Sequence, residues 1–334
     1  MQINKTNRMQ KQKILITGSN GQIGTVLGNK LIDIYGLDNV ILTDIAENNH
    51  KNGIFEKLDI LNIPHFKELI KDYKITQIFH LASLLSASGE RNPMRTWNIN
   101  FNGLLNILDL SKANNIEKLF FPSSIAVFGN TTPKEYTEQD VPLVPDTVYG
   151  IGKVAGELWC NYYAKRYGLD VRSLRYPGII SYESMPGGGT TDYAVEIFHY
   201  AVKNKKYSCF LEKDTVLPMM YMEDAINATI QLMQAPSENI KLRYSYNLGA
   251  FSFSPEEIYN EILKHIPEFE IEYKPDFRQN IADSWVKRID DSRARKDWGW
   301  KPKYNFENMV EDMILNLKKL YKIASNKEQV GLII

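Results

Sequence analysis

Three side chains in this sequence have the types and spacing to move a proton from a hydroxyl group. Tyr149 and Lys153 lie four residues apart, and on a helix such residues stack on one face. An ammonium beside a phenol favours the phenolate, lowering its pKa from about 10 and making tyrosine a usable general base. Ser124, twenty-five residues before Tyr149, ends a short apolar stretch and can hydrogen-bond the same substrate oxygen. The tyrosine–lysine spacing alone is common, so its meaning depends on the elements that carry it.

Those elements alternate. Lys13 to Thr17 reads as a buried strand running into Gly18, Gly21 and Gly24, and apolar residues from Gln22 to Ile34 recur at helical spacing. A strand, a glycine turn and a helix N-terminus form the opening of a dinucleotide-binding unit, where free backbone N–H groups meet a pyrophosphate. The spacing is G-x-x-G-x-x-G, a variant of the usual fingerprint. A second strand, Val40 to Thr43, ends in Asp44, twenty residues past the last glycine. A carboxylate there accepts hydrogen bonds from ribose hydroxyls and repels a 2′-phosphate, which favours NAD over NADP.

The pattern continues with strands at Ile54 to Leu58, Gln77 to Leu81, Lys118 to Phe121 and Val171 to Arg175. Helices are expected at Pro64 to Tyr73, Met94 to Ala113 and Tyr149 to Tyr167. This alternation predicts an α/β fold, a Rossmann-type doubly wound parallel sheet. Ligands in such sheets lie beyond the carboxyl ends of the strands, so Gly18, Asp44, Asp59, Ser83, Ser123 and Ser124 should share one edge with Tyr149.

After Tyr176 and Pro177 the rhythm changes to a glycine-rich loop, Pro186 to Thr191, suited to covering a site. Later elements are expected at Met219 to Tyr221, Glu223 to Gln234, Tyr244 to Asn247 and Ser254 to His265. The expected organisation is a disordered tail over 1–12, a dinucleotide-binding domain over 13–178 to which elements near 215–250 return, and a smaller substrate-binding lobe from 179–214 and 251–325.

Composition removes several function classes. The 334 residues carry 40 basic and 40 acidic side chains, so no net field draws in nucleic acid or a membrane surface. Apolar runs are too short to span a bilayer. Cys160 and Cys209 cannot form a disulfide framework and point to a reducing compartment, cytoplasmic or an organellar matrix. With five scattered histidines, no metal site is expected.

In order, the glycine turn, acidic ribose residue, serine, tyrosine and lysine resemble the extended short-chain dehydrogenase/reductase superfamily, which includes nucleotide-sugar epimerases and dehydratases. Four longer segments are more specific: HLASLLSASGE from His80, RYPGIISYESMPGGGTTDYAVEIF from Arg175, LPMMYMEDAI from Leu217 and ADSWVKRIDDSRARKDWGW from Ala282. They resemble the short-chain type of L-threonine 3-dehydrogenase.

That resemblance implies catalysis by Ser124, Tyr149 and Lys153. It implies NAD contacts at Gly18, Gly21, Gln22, Ile23, Gly24, Asp44, Asp59, Ile60, Leu81, Ala82, Ser83, Asn100, Tyr149, Lys153, Tyr176 and Pro177. Substrate contacts map to Ser86, Ser123, Ser124, Tyr149, Gly188, Thr191 and Trp285. The implied reaction is NAD-dependent oxidation of the threonine 3-hydroxyl to 2-amino-3-oxobutanoate, on the way to glycine or aminoacetone. Many members carry threonine at the position of Ser124; serine keeps the hydroxyl and loses a methyl.

Plainer readings stand beside these: Ser86 and Thr191 as helix caps, and Trp285 as a packed aromatic. Two other functions also stay open, a nucleotide-sugar epimerase or dehydratase and a non-catalytic NAD-binding regulator. Ile125 and Ala126 occupy places where a dehydratase would carry an Asp-Glu pair. A homodimer is expected by resemblance, with Gly152, Ala155 and Gly156 permitting close helix contact.

Overall fold

The computed structural model describes residues 12–331 except 184, 186 and 204, with side chains described through 322. The expected tail thus lies outside the described residues apart from Gln12, and so does Pro186 of the glycine-rich loop. Gln12 Oε1 accepts from Gln77 Nε2 at 2.6 Å.

Among the described residues, seven strands form the main sheet in the order β10-β6-β5-β4-β1-β2-β3, every neighbouring pair parallel. They are β1 (Ile14–Thr17), β2 (Val40–Asp44), β3 (Ile54–Lys57), β4 (Gln77–His80), β5 (Lys118–Ser124), β6 (Asp170–Tyr176) and β10 (Tyr246–Asn247). Strand residues alternate faces, and here both faces are covered. Ile14 and Ile16 of β1 join one apolar cluster with Leu27 and Leu31, while Leu15 joins another with Phe66 and Leu104. The order reverses between β1 and β4, the switch point where such sheets bind ligands.

Helix α1 (Gln22–Tyr35) follows the glycine turn and α2 (Ile63–Asp72) links β3 to β4. The helix expected over Met94 to Ala113 is three joined pieces: α4 (Pro93–Trp97), a π-turn at Asn98–Asn102 and α5 (Gly103–Ala113), preceded by the one-turn α3 (Ser86–Gly89). Two contacts hold the interrupted stretch in place. Asn100 accepts from Leu84 N at 2.8 Å and donates to Leu84 O at 2.9 Å, and Ile60 occupies the space over Gly103. Such π-turns often accompany functional sites.

Beyond β6 the chain builds a second layer. Strand β7 (Gly178–Ile180) pairs with β9 (Leu217–Tyr221), which pairs with β11 (Phe251–Phe253); β8 (Tyr207–Cys209) pairs with β12 (Ile271–Tyr273). Helices α7 (Tyr193–Val202) and α9 (Pro255–Leu263) and the long α10 (Phe306–Gly331) pack around a third apolar cluster that holds Trp285. Of the stretch near 215–250, β9 thus belongs to the small sheet, while β10 and helix α8 (Met222–Gln234) lie against β6. No helix among the described residues is long and apolar enough to cross a membrane.

Candidate active site

The helix carrying Tyr149 and Lys153 is α6 (Val148–Tyr167). Thr147 caps its start by accepting from Gly150 N at 3.0 Å, and Gly168 ends it in the left-handed conformation at φ 72°. Two glycines set its height over the sheet. A Cβ on Gly150 would sit 2.1 Å from Ala126 O, and one on Gly156 would sit 2.6 Å from the Phe121 ring. The face that α6 presses onto β5 therefore carries the tyrosine and the lysine.

Ser124, at the end of β5, lines the cavity beside Tyr149, and its Oγ accepts from Ala126 N at 3.2 Å. Lys153 is buried, its Nζ donates to Pro122 O at 2.6 Å, and it lies 5.2 Å from the centre of the Tyr149 ring. Burial pushes the Tyr149 phenol up to about 12, with the neighbouring Ser124 hydroxyl opposing. Burial likewise pushes Lys153 down to about 7, opposed by Cys160 and Glu157. The Cys160 thiol is itself raised by burial and stays neutral, so the Glu157 carboxylate is the opposing charge that counts. The lowering of the phenol expected from its lysine neighbour is therefore not seen in the chain alone, where burial sets the direction and Ser124 opposes it.

Along a strand, neighbours face opposite ways, and this separates the two serines. Ser123 is buried and its hydroxyl donates to Glu157 Oε1 at 2.6 Å, away from Ser124 and Tyr149. Its contribution to the cavity is therefore wall, with the hydroxyl already committed.

A cavity of about 480 Å³ runs from the glycine turn to the serine–tyrosine pair. Gly18, Gly21, Gln22, Ile23, Gly24, Leu81 and Ser83 line one end, with Ser124, Tyr149, Lys153, Tyr176 and Pro177 in the middle. Ser86, Thr191 and Trp285 lie on the far wall. The glycine turn is a cradle that side chains would fill: a Cβ at Gly18 would meet Ala82 N at 2.6 Å, and one at Gly24 would meet Gly18 O at 2.3 Å.

Several expected residues shape the cavity from behind. Asp44 accepts from Asn20 N and Ala46 N, each at 3.0 Å, at the rim of the turn. Asp59 accepts from Leu61 N, Ile60 is buried, Ala82 presses on Gly18, and the Asn100 amide is spent on Leu84. Gly188 does not line the cavity; at φ 95° it shapes the loop, donating to Asp192 Oδ2 at 2.8 Å, while Gly187 and Gly189 face inward.

Sequence reasoning missed Thr190, whose hydroxyl lies 3.2 Å from that of Ser86 across the cavity wall, together with Ser88 and Asp192. The run Thr190, Thr191, Asp192 beside a glycine loop was the available signal. Among the described residues no group of three or more His, Cys, Asp or Glu is placed to hold a metal ion.

The chain belongs to the NAD-dependent epimerase/dehydratase family, which it matches over residues 14–249. An uncharacterized epimerase/dehydratase of Staphylococcus haemolyticus is 47% identical over 321 residues, 95% of this chain and 100% of that protein. Among solved structures, it is similar to a GalE-like L-threonine dehydrogenase from Cupriavidus necator (holo form), with 50% identity, a TM-score of 0.91 and coverage of 92% of this chain and 100% of that one. A monomeric L-threonine 3-dehydrogenase from a metagenome gives 50% identity and a TM-score of 0.90, covering 92% and 99%.

Proposed function

We propose that this chain is an NAD-dependent L-threonine 3-dehydrogenase that oxidises the 3-hydroxyl to 2-amino-3-oxobutanoate. The observation that carries this reading is one cavity lined by Ser124, Tyr149 and Lys153 together with the glycine cradle and with Ser86, Thr190 and Thr191. Half-identical relatives across nearly the whole chain support the same substrate.

Gly18, Gly21 and Gly24 leave room for a pyrophosphate against the start of α1, and Asp44 stands at the ribose end of that turn. When bound, NAD⁺ supplies the acceptor for the hydride that leaves the threonine β-carbon. Ser124 holds the 3-hydroxyl oxygen, Tyr149 takes its proton, and the C–O bond becomes a carbonyl as the C–H bond breaks. The Lys153 ammonium stabilises the phenolate form of Tyr149. Ser86, Thr190 and Thr191 offer hydroxyls to the ammonium and carboxylate of the substrate, and Trp285 closes the apolar side of the wall.

Ile125 and Ala126 are buried in the apolar cluster that holds Trp285, and Ile125 also lines the cavity. They offer no acid–base pair, which speaks against a sugar dehydratase. Assays with L-threonine and NAD⁺ beside UDP- and dTDP-sugars test the reading: threonine should be the substrate turned over, and turnover of a nucleotide sugar alone would overturn it.

The chain is further read as a cytoplasmic homodimer. Gly156 packs inward on Phe121 and Leu104, while a Cβ on Gly152 would meet open space, so Gly152 stays available for close helix contact and Gly156 does not. The opposite face exposes Leu158 at 63%, Tyr162 at 47% and Trp159 at 39%, an apolar stripe that a second copy would cover. Light scattering at working concentration should give twice the chain mass; a monomer mass, as the metagenome relative's name describes for that protein, removes this reading.

A further inference from the structure

Glu157 continues the spacing of Tyr149 and Lys153 along α6, each four residues on, so all three stack on the face against the sheet. The oxidation as described uses the first two and leaves the third unassigned. Glu157 is 1% exposed, and its carboxylate collects three donors. Oε1 accepts from Ser123 Oγ at 2.6 Å and Arg175 Nε at 2.9 Å; Oε2 accepts from Arg175 Nη2 at 2.8 Å. Arg175, 2% exposed, sends Nη1 to Gln139 O and to Asn247 Oδ1, each at 3.0 Å.

Stability alone gives little reason for such a pair, because well-packed apolar side chains of similar volume usually do as well or better. Its location suggests a use. Ser123 lies between Pro122, whose carbonyl holds the Lys153 ammonium, and Ser124, which lines the cavity with Tyr149. In the sheet register Ser123 faces Arg175 and Ser124 faces Tyr176, so one carboxylate ties α6 to the ends of both strands. The groups facing Lys153 are Tyr149, Glu157 and Cys160 on α6, Phe121 on β5, His80 on β4 and, behind Glu157, Arg175 on β6. Burial keeps His80 neutral, and Glu157 is the anion of that set.

We propose that Glu157, clamped by Arg175, is a positioning residue for the oxidation: it locks Pro122, Ser123 and Ser124 against the catalytic helix and supplies the counter-charge that the Lys153 ammonium faces. The proposal rests on Tyr149 being the base. Removing the counter-charge makes Lys153 give up its proton more readily. Tyr149 then loses its cation, and its ionisation moves to higher pH.

The test is Glu157→Gln, which keeps the shape and removes the charge. Expected are a fall in kcat of about tenfold or more, KM values for L-threonine and NAD⁺ within about threefold of wild type, and an acidic limb of the kcat profile displaced to higher pH. Glu157→Asp should restore the position of that limb, and Ser123→Ala should lower kcat by a few-fold without moving it. A Glu157→Gln enzyme with wild-type kcat and pH profile overturns the proposal, whatever its melting temperature. Should that variant not fold, wild-type kcat in both Glu157→Asp and Ser123→Ala overturns it, since each loosens the tie between α6 and β5. Wild-type protein inactive on threonine would sink the dehydrogenase reading instead. Tyrosinate absorbance with NAD⁺ bound, taken as the difference from Tyr149→Phe, then decides: an unshifted Tyr149 titration in Glu157→Gln overturns the positioning role.

Discussion

Two glycine-rich stretches meet across the cavity, and their glycines serve different purposes. In the turn from Gly18 to Gly24, the space a Cβ would need is filled by backbone: Ala82 N lies 2.6 Å from that of Gly18, and Gly18 O lies 2.3 Å from that of Gly24. In the loop from Gly187 to Gly189, the nearest atoms belong to side chains, Leu85 Cδ1 at 3.1 Å, Ser88 Cβ at 3.4 Å and Asp192 Oδ1 at 2.9 Å. The first stretch is held by close approach of two strands and a helix and cannot yield. The second is held by Asp192 Oδ2, which accepts from Gly188 N at 2.8 Å and Gly189 N at 2.7 Å, and by Gly188 O, which accepts from Ser88 N at 3.3 Å. On the proposed reading, a cofactor cradle set by backbone contacts faces a substrate cover set mainly by side chains.

The comparison breaks most sharply at Gly24. Gly24→Ala forces backbone apart, so stability should fall by about 1–3 kcal/mol and NAD⁺ affinity by about tenfold or more, measured by denaturant titration and calorimetry. An alanine variant binding NAD⁺ as wild type does would show that the turn can yield after all.

A second test concerns the strands beneath that turn. His80 on β4 is fully buried against Thr17 of β1 (Nδ1 to Oγ1 2.9 Å), and burial, with Lys153 adding to it, pushes its pKa from 6.5 down to about 3. The unfolded chain therefore binds a proton there that the folded chain refuses. The resulting stability is fully present above pH 6.5 and is lost as pH falls towards 3. Urea titrations across that window should show a slope from this group of up to about 1.4 kcal/mol per pH unit, and His80→Gln should flatten it.

The smallest effect is expected at Gly188, where φ is 95° but the site is an exposed loop position. Gly188→Ala should cost about 1–2 kcal/mol of local strain. It should raise KM for threonine by a few-fold and leave NAD⁺ affinity unchanged. Loss of NAD⁺ binding in this variant would erase the distinction between the two stretches.

Much of this was legible in the chain. The parallel sheet followed from alternating apolar runs and helical stretches, and Tyr149, Lys153 and Ser124 were named from spacing and strand ends. What escaped was set by tertiary contact. Nothing local marks Asn100 as the residue whose amide clamps Leu84 through a π-turn. The separation of Ser123 from Ser124 was available from strand alternation, yet Ser123 became meaningful only once Glu157 and Arg175, eighteen residues apart, were seen to meet. The raised Tyr149 phenol escaped because spacing reports the neighbouring charge and says nothing of desolvation.

The central claim is that Tyr149 takes the proton from the 3-hydroxyl of L-threonine as NAD⁺ is reduced. Its most direct test is NADH formation by wild type and Tyr149→Phe with L-threonine, with L-serine and L-allo-threonine as controls. NADH from L-threonine that rises with pH in wild type, and disappears in Tyr149→Phe while NAD⁺ still binds, is the predicted result. Wild-type turnover in Tyr149→Phe, or no NADH from L-threonine at any pH, would contradict it.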